Sequence, residues 1–208
     1  QLSIDRLQEK FYKKIVDGQD EFKNYLTTIN RQIKDIENLV NEFSSFARMP
    51  NPIFKKIEIS TVVNRAINFY KMSSINNLTF NNISKKLLIN GDEEQLYRVF
   101  INLIKNSEDS ILEKRQINSD FKGKISIEIK DNNDYITITL TDNGIGIENI
   151  TKIMTPYFTT KKDGTGLGLP IVSKIISEHR GDITITNYDP GVKVLITLPK
   201  TNKWKMKF

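Results

Sequence analysis

The chain is expected to be α+β: a helical hairpin followed by an α/β sandwich. Three observations carry that expectation. Residues 19 to 47 hold apolar side chains in a 4-3 repeat, the mark of a long helix with one seam. Pro50 and Pro52 then stop it, because the residue before a proline is pushed out of the α region. Beyond them, helix patterns and alternating strand patterns come in runs rather than in strict β-α-β order, which favours helices segregated against one sheet.

The seam consists of Phe22, Leu26, Ile29, Ile33, Ile36, Val40, Phe43 and Ala47, with a shorter stripe of Ile4, Leu7, Phe11 and Ile15 before Gly18. Helices over Leu2 to Val16 and Gln19 to Arg48 would form a hairpin too thin to bury its own seam. Two copies closing into a four-helix bundle would bury it; packing on the chain's own second domain is the alternative. Met49 to Phe54 reads as a linker. Lys56 to Ile59 is expected as a short strand, and Ser60 as the cap of a helix with Val63, Ala66, Ile67 and Tyr70 on its apolar face. Strands are expected at Leu78 to Phe80 and Leu87 to Ile89. A long helix follows over Asp92 to Arg115, burying Leu96, Val99, Phe100, Leu103, Ile104 and Ile111. Ile125 to Ile129 and Tyr135 to Leu140 alternate as antiparallel strands. Two more strands, Ile183 to Thr186 and Val192 to Leu198, flank an Asp-Pro-Gly turn. The expected division is a partial hairpin over 1–49, a linker over 50–55, the sandwich over 56–200 and a basic tail over 201–208.

With 208 residues and a hydrophobic share of 38%, the chain can bury a real core. Its longest apolar runs are far too short to span a bilayer. No cysteine is present, which excludes disulfides and thiolate metal sites and fits a reducing compartment. The net charge of +6 comes from scattered lysines and arginines, with only Lys200 to Lys205 around Trp204 locally basic. Without a basic stripe and interleaved aromatics, a nucleic-acid surface is not expected. The chain starts without Met or a signal segment, and is expected to be a fragment or a processed product.

Four motifs between Asn102 and Leu169 read together as a nucleotide pocket. Asp142, where a strand ends, opens the Asp142-Asn143-Gly144-Ile145-Gly146 loop. Its carboxylate can accept a hydrogen bond from an exocyclic amine such as that of adenine, and Gly144 and Gly146 let backbone approach a base. A plain tight turn is the other reading of the same residues. Asn102 and Asn106 stand one turn apart on the long helix. The Asn106 oxygen is a hard ligand suited to Mg²⁺, although an asparagine on a helix can simply be solvated. Gly164, Thr165, Gly166, Leu167 and Gly168 lead into a helix over Leu169 to His179, whose first N–H groups and dipole favour phosphate. Thr159, Thr160 and Lys161 add hydroxyls and a cation on a possible lid, which Phe158 would pack down. The spacings of a Rossmann fingerprint or a P-loop are absent.

These four segments resemble the N, G1, F and G2 boxes of the sensor histidine kinases, in the superfamily that includes gyrase, heat-shock-90 and MutL ATPases. The resemblance covers about residues 55 to 200. The N-terminal part resembles that family's dimerisation hairpin, and Glu42 to Pro50 resembles the nitrogen-regulation kinases of the NtrY type. The resemblance implies three helices over a mixed sheet, ATP and Mg²⁺, adenine read by Asp142 and metal held by Asn106. It makes Asn102 and Lys161 the candidate catalytic residues and assigns Gly144, Gly146, Phe158, Thr159, Thr160 and residues 164–168 to the nucleotide. It further implies a homodimer, an NtrX-like response regulator as partner, and a cytoplasmic location in a protein anchored in the inner membrane by upstream segments.

One departure matters. The family's phosphate-accepting histidine box is missing, and the chain is expected to begin just after it and to bind ATP without phosphorylating itself. The only histidine, His179, ends a helix before Gly181, where it would favour the helix dipole. Two other functions are open. An ATP-hydrolysing clamp of the gyrase or MutL type would need a glutamate where this chain has Asn102, and an amide is no general base. A catalytically silent dimerisation module is the third reading.

Overall fold

The computed structural model describes residues 2–15, 17–71, 77–82, 87–161 and 164–201. Most of the expected basic tail, including Trp204, lies outside the described residues. By its contacts the chain divides into two units, residues 1–49 with 159–167, and residues 50–158 with 168–208.

In the first unit, helix α1 (Leu2–Phe11) passes through a 3-10 turn (Tyr12–Lys14) to helix α2 (Gln19–Ala47). The first helix stops earlier than its apolar stripe suggests. Gln19 Nε2 donates to the carbonyls of Tyr12, at 3.1 Å, and Ile15, at 2.9 Å, so the chain can leave the helix without orphaning them. Gly18 then adopts the left-handed conformation, φ 84°, and its carbonyl accepts the Phe22 N–H. Ile4 and Leu26 are buried, whereas Ile29, Ile33, Ile36, Val40 and Phe43 stand exposed along α2.

The second unit holds a two-stranded ribbon, β1 (Lys55–Glu58) against β3 (Leu88–Gly91), and a five-stranded sheet. The sheet comprises β2 (Asn77–Asn82), β4 (Lys124–Asp131), β5 (Tyr135–Asp142), β6 (Asp182–Tyr188) and β7 (Gly191–Pro199), in the order β2-β4-β5-β7-β6. Among the described strands only β2 and β4 run parallel, with Leu78 opposite Ile125; the other pairs of this sheet are antiparallel. Helix α4 (Glu93–Ile117) lies within the crossover between the parallel strands. Helices α3 (Ile59–Lys71) and α5 (Gly168–Glu178) flank it in contact.

The sheet is apolar on one face. Ile125, Ile127 and Ile129 alternate inward on β4, matched across the register by Leu140 and Ile138 on β5 and by Val194 and Ile196 on β7. They form one core with Leu96, Val99, Phe100, Leu103, Ile104 and Ile111 of α4, the residues its 3.6-residue period selects. Each fully buried aliphatic side chain contributes roughly 1.5–3 kcal/mol, so this face dominates the stability of the unit. The intervening positions, Ser126, Glu128, Thr137 and Thr139, are half-exposed, as expected of an antiparallel sheet wetted on one side.

Two expectations for single residues are corrected. Ser60 does not cap α3; it sits inside the first turn, buried, and its hydroxyl donates to Glu58 Oε1 at 2.9 Å. Tyr70 is half-buried at the margin of the apolar face, with its hydroxyl 3.3 Å from the Ile101 carbonyl. Asp92, by contrast, is a full N-cap for α4: Oδ1 accepts the N–H groups of Glu94 and Gln95 at 3.1 Å. Its Oδ2 accepts the Ile53 N–H at 2.8 Å, and Gln95 Nε2 donates to the Pro50 carbonyl at 2.9 Å, fastening the proline segment to the start of α4.

His179 also differs from its expected role. It is 1% exposed, and Nε2 accepts the Asp92 N–H at 2.9 Å. The proton is therefore on Nδ1, which donates to the Ile175 carbonyl at 2.7 Å. Burial lowers its pKa, so a neutral ring joins the end of α5 to the start of α4, with Phe54 packed edge-on against it.

Candidate functional site

Strand β5 alternates Ile136, Ile138 and Leu140 into the core, and Asp142 is the next residue of the same parity. The period that buries three aliphatic side chains therefore buries a carboxylate, 6% exposed. Its cost is met by donors. Oδ1 accepts the Gly144 N–H at 2.9 Å and the Val192 N–H at 3.3 Å, and Oδ2 accepts the Ser107 hydroxyl at 2.9 Å. A carboxylate oxygen has two lone pairs, so Oδ2 retains acceptor capacity for a further donor. Burial pushes the Asp142 carboxyl up from its ordinary value, against the Gly144, Ser107 and Val192 donors and the Lys114 ammonium.

The loop after Asp142 is gripped by a polar stripe on α4. Ser107, Ser110 and Lys114 stand at i, i+3 and i+7, one above the other on a single helix face. Ser107 donates to Asp142, and Ser110 Oγ accepts the Ile145 N–H at 3.0 Å. Lys114 Nζ donates to the carbonyls of Asn143 and Gly144, each at 2.9 Å, and of Pro190 at 3.1 Å. Gly144 is packed so close to the helix that a Cβ would stand on the Ser110 side chain and 2.9 Å from its carbonyl carbon. Its missing side chain makes room for α4. Gly146 takes the left-handed conformation, φ 83°. From the other side, Asn187 on β6 accepts the Ile147 N–H and donates to the Ile147 carbonyl, both at 2.8 Å. Asn143 accepts the Lys124 N–H at 2.7 Å and donates to the Lys122 carbonyl at 3.0 Å.

Asn102 and Asn106 occupy successive turns of α4, both half-buried, upstream of this stripe. Asn102 Nδ2 donates back to the Arg98 carbonyl at 2.9 Å. Its Oδ1 lies 3.1 Å from where a Cβ on Gly168 would stand, so α4 meets the first turn of α5 at this residue. The second unit of the chain thus holds Asn102, Asn106, Asp142, Gly144, Gly146 and Gly168, with Gly144 and Gly168 packed directly on α4. Phe158 is half-buried in that same unit, after Tyr157 at φ 67°.

Thr159, Thr160, Lys161, Gly164, Thr165, Gly166 and Leu167 belong to the other unit. Thr159 and Thr160 are exposed, and Thr159 Oγ1 accepts the Lys161 N–H at 3.1 Å. Gly166 is left-handed, φ 68°, between a half-buried Thr165 and a buried Leu167. Ser107, Ser110, Lys114 and Asn187 escaped the sequence reading. Their signal is faint: polar residues at helical spacing beside the apolar face of α4, and an asparagine within a strand pattern.

Among the described residues no cluster of three or more His, Cys, Asp or Glu could hold a metal ion, and no helix is long and apolar enough to cross a membrane.

The chain as a whole resembles known proteins. Residues 91–202 match the family described as histidine kinase-, DNA gyrase B- and HSP90-like ATPase. An NtrY-like sensor histidine kinase of Rickettsia bellii (strain RML369-C) is 36% identical over 197 residues, which cover 93% of this chain and 31% of the relative. The chain thus spans about a third of the length of that curated relative. The nucleotide-free catalytic domain of the histidine kinase ThkA has a TM-score of 0.64 at 27% identity, over 74% of this chain and 99% of that one. ThkA in complex with the response regulator protein TrrA shares the fold, with a TM-score of 0.72 at 22% identity, over 97% of this chain and 58% of that one.

Proposed function

Since the chain belongs to the histidine kinase-, DNA gyrase B- and HSP90-like ATPase family, we propose that it is the ATP-binding catalytic region of a two-component sensor histidine kinase of the NtrY-like kind. The observation that carries the proposal is Asp142: a buried carboxylate at a strand end, held by Ser107, Gly144 and Val192, with acceptor capacity left on Oδ2. Such a group accepts the exocyclic amine of adenine and disfavours guanine, which would present a carbonyl there.

ATP with Mg²⁺ supplies the γ-phosphoryl group, destined for a histidine and then for an aspartate of a response regulator. The protein's own part is to position and to neutralise charge. Asn106 would offer one hard oxygen to Mg²⁺, whose other ligands would be phosphate and water. Asn102, one turn earlier, holds the place where a hydrolase would carry its general base, and a phosphotransferase has no use for such a base acting on water. For the segment over residues 159–168 this reading assigns phosphate to the N–H groups of residues 164 to 168, charge compensation to Lys161 and hydroxyl donation to Thr159 and Thr160.

The proposed division is a dimerisation hairpin over 1–49, a linker over 50–55, the ATP-binding domain over 56–200 and a basic tail over 201–208. The exposed seam of α2 supports a homodimer. The partner is an NtrX-like response regulator in the cytoplasm, where ATP is available.

Calorimetric titration with Mg²⁺ and ATP, paired with a phosphate-release assay, tests the reading. ATP is expected to bind the chain and not Asp142→Ala, with no sustained phosphate release. Undiminished binding by Asp142→Ala would overturn the site, and steady release of phosphate would replace the kinase with a hydrolase.

A further inference from the structure

We propose that Lys114 is the positioning residue that sets the base-reading loop of this site, an inference that rests on the nucleotide reading of Asp142. An ammonium has three N–H donors and no acceptor. All three are spent here on main-chain carbonyls, those of Asn143, Gly144 and Pro190, at 2.9, 2.9 and 3.1 Å. The first two carbonyls belong to the loop that begins with Asp142. The third belongs to the turn between β6 and β7, two residues before Val192, which donates its N–H to Asp142 from the start of β7. One cation therefore ties down both segments that grip the carboxylate.

Carbonyls of successive residues that converge on one point carry like-signed dipole ends, and a cation between them removes the conflict. The lysine is constrained to that point. It leaves α4 in its last turn, where a cation ordinarily faces the helix's own final carbonyls, and its Nζ passes 4.6 Å from the centroid of the Phe121 ring. Ser107 and Ser110, on the same stripe, fix Asp142 and Ile145 on either side of the two carbonyls. Lys114 acts on the base through the orientation and charge of Asp142, with no contact of its own. Its loss should therefore blur the choice between bases as well as weaken binding.

The test compares Lys114→Met, which keeps the stem beside Phe121 and removes every donor, with Lys114→Gln, which keeps N–H donors without charge. Asp142→Ala is the control. ATP and GTP affinities are measured by titration calorimetry on each folded variant, and the Gly144 and Val192 amide signals are followed in ¹H–¹⁵N spectra. Lys114→Met is expected to lose ATP affinity by about tenfold or more, to narrow the ATP-to-GTP preference and to shift both amides, with Lys114→Gln in between. Wild-type affinity and preference in either variant, while Asp142→Ala loses binding, would overturn the role of Lys114 and leave the site standing. Unchanged binding by Asp142→Ala would overturn the nucleotide reading beneath it.

Discussion

Replacing His179 with glutamine is expected to flatten the acid limb of the stability curve. In the fold, Nε2 is engaged by the Asp92 N–H and Nδ1–H by the Ile175 carbonyl, so the ring has no site for a second proton without breaking a bond. Burial lowers its pKa below the ordinary value of 6.5. The unfolded chain therefore binds more protons than the fold as the pH drops below about 6.5, and stability falls with it until the folded pKa is reached. The loss between about pH 7.5 and about pH 5.5 is bounded at ~1.4 kcal/mol, the limit for a ring that takes no second proton in the fold. Glutamine can accept the Asp92 N–H and does not titrate. Urea unfolding, followed by circular dichroism at a series of pH values, gives the difference between wild type and His179→Gln. Asp142, whose folded pKa is raised, works in the opposite sense: its contribution falls as pH rises above 3.8 toward the folded value. It is present in both proteins and cancels in the difference. Parallel pH profiles for the two proteins would refute the reasoning.

Gly144→Ala is expected to destabilise the second unit by roughly 1–3 kcal/mol, because its Cβ meets the backbone of α4 as well as the Ser110 side chain; an unchanged melting temperature would refute that packing. Ile36→Lys, at an exposed position of the α2 seam, is expected to weaken self-association by about a hundredfold or more, since a symmetric interface loses the contact twice. Sedimentation equilibrium reads it, and an equally tight dimer would remove the seam from the interface.

The elements most legible in the sequence were those whose period is self-contained. The buried face of α4 and the alternation of β4, β5 and β7 follow from side-chain spacing alone. What escaped depends on distant partners. The β1–β3 ribbon and the parallel pairing of β2 with β4 join residues about 30 to 50 positions apart, and local pattern says nothing about such register. The early end of α1 hangs on the reach of Gln19. At the site, Asp142 and the glycines announce themselves by type and order, but Lys114 looks like any surface lysine until two loops are folded beneath it. His179 likewise reads as a helix-end residue until Asp92, 87 positions earlier in the chain, is brought to it by the fold.

The stripe of Ser107, Ser110 and Lys114 also dictates where this protein can change length. Each residue added to or removed from an α-helix turns everything beyond it by about 100°. A single insertion between Ser107 and Lys114 would swing the lysine away from all three of its carbonyls while leaving the serine on Asp142. The same insertion in the exposed stretch around Asn118 to Asp120, past the end of α4, disturbs none of these bonds. Descendants of this chain can therefore lengthen the connection to β4, whereas the middle of α4 is a ruler whose markings must all move together or not at all.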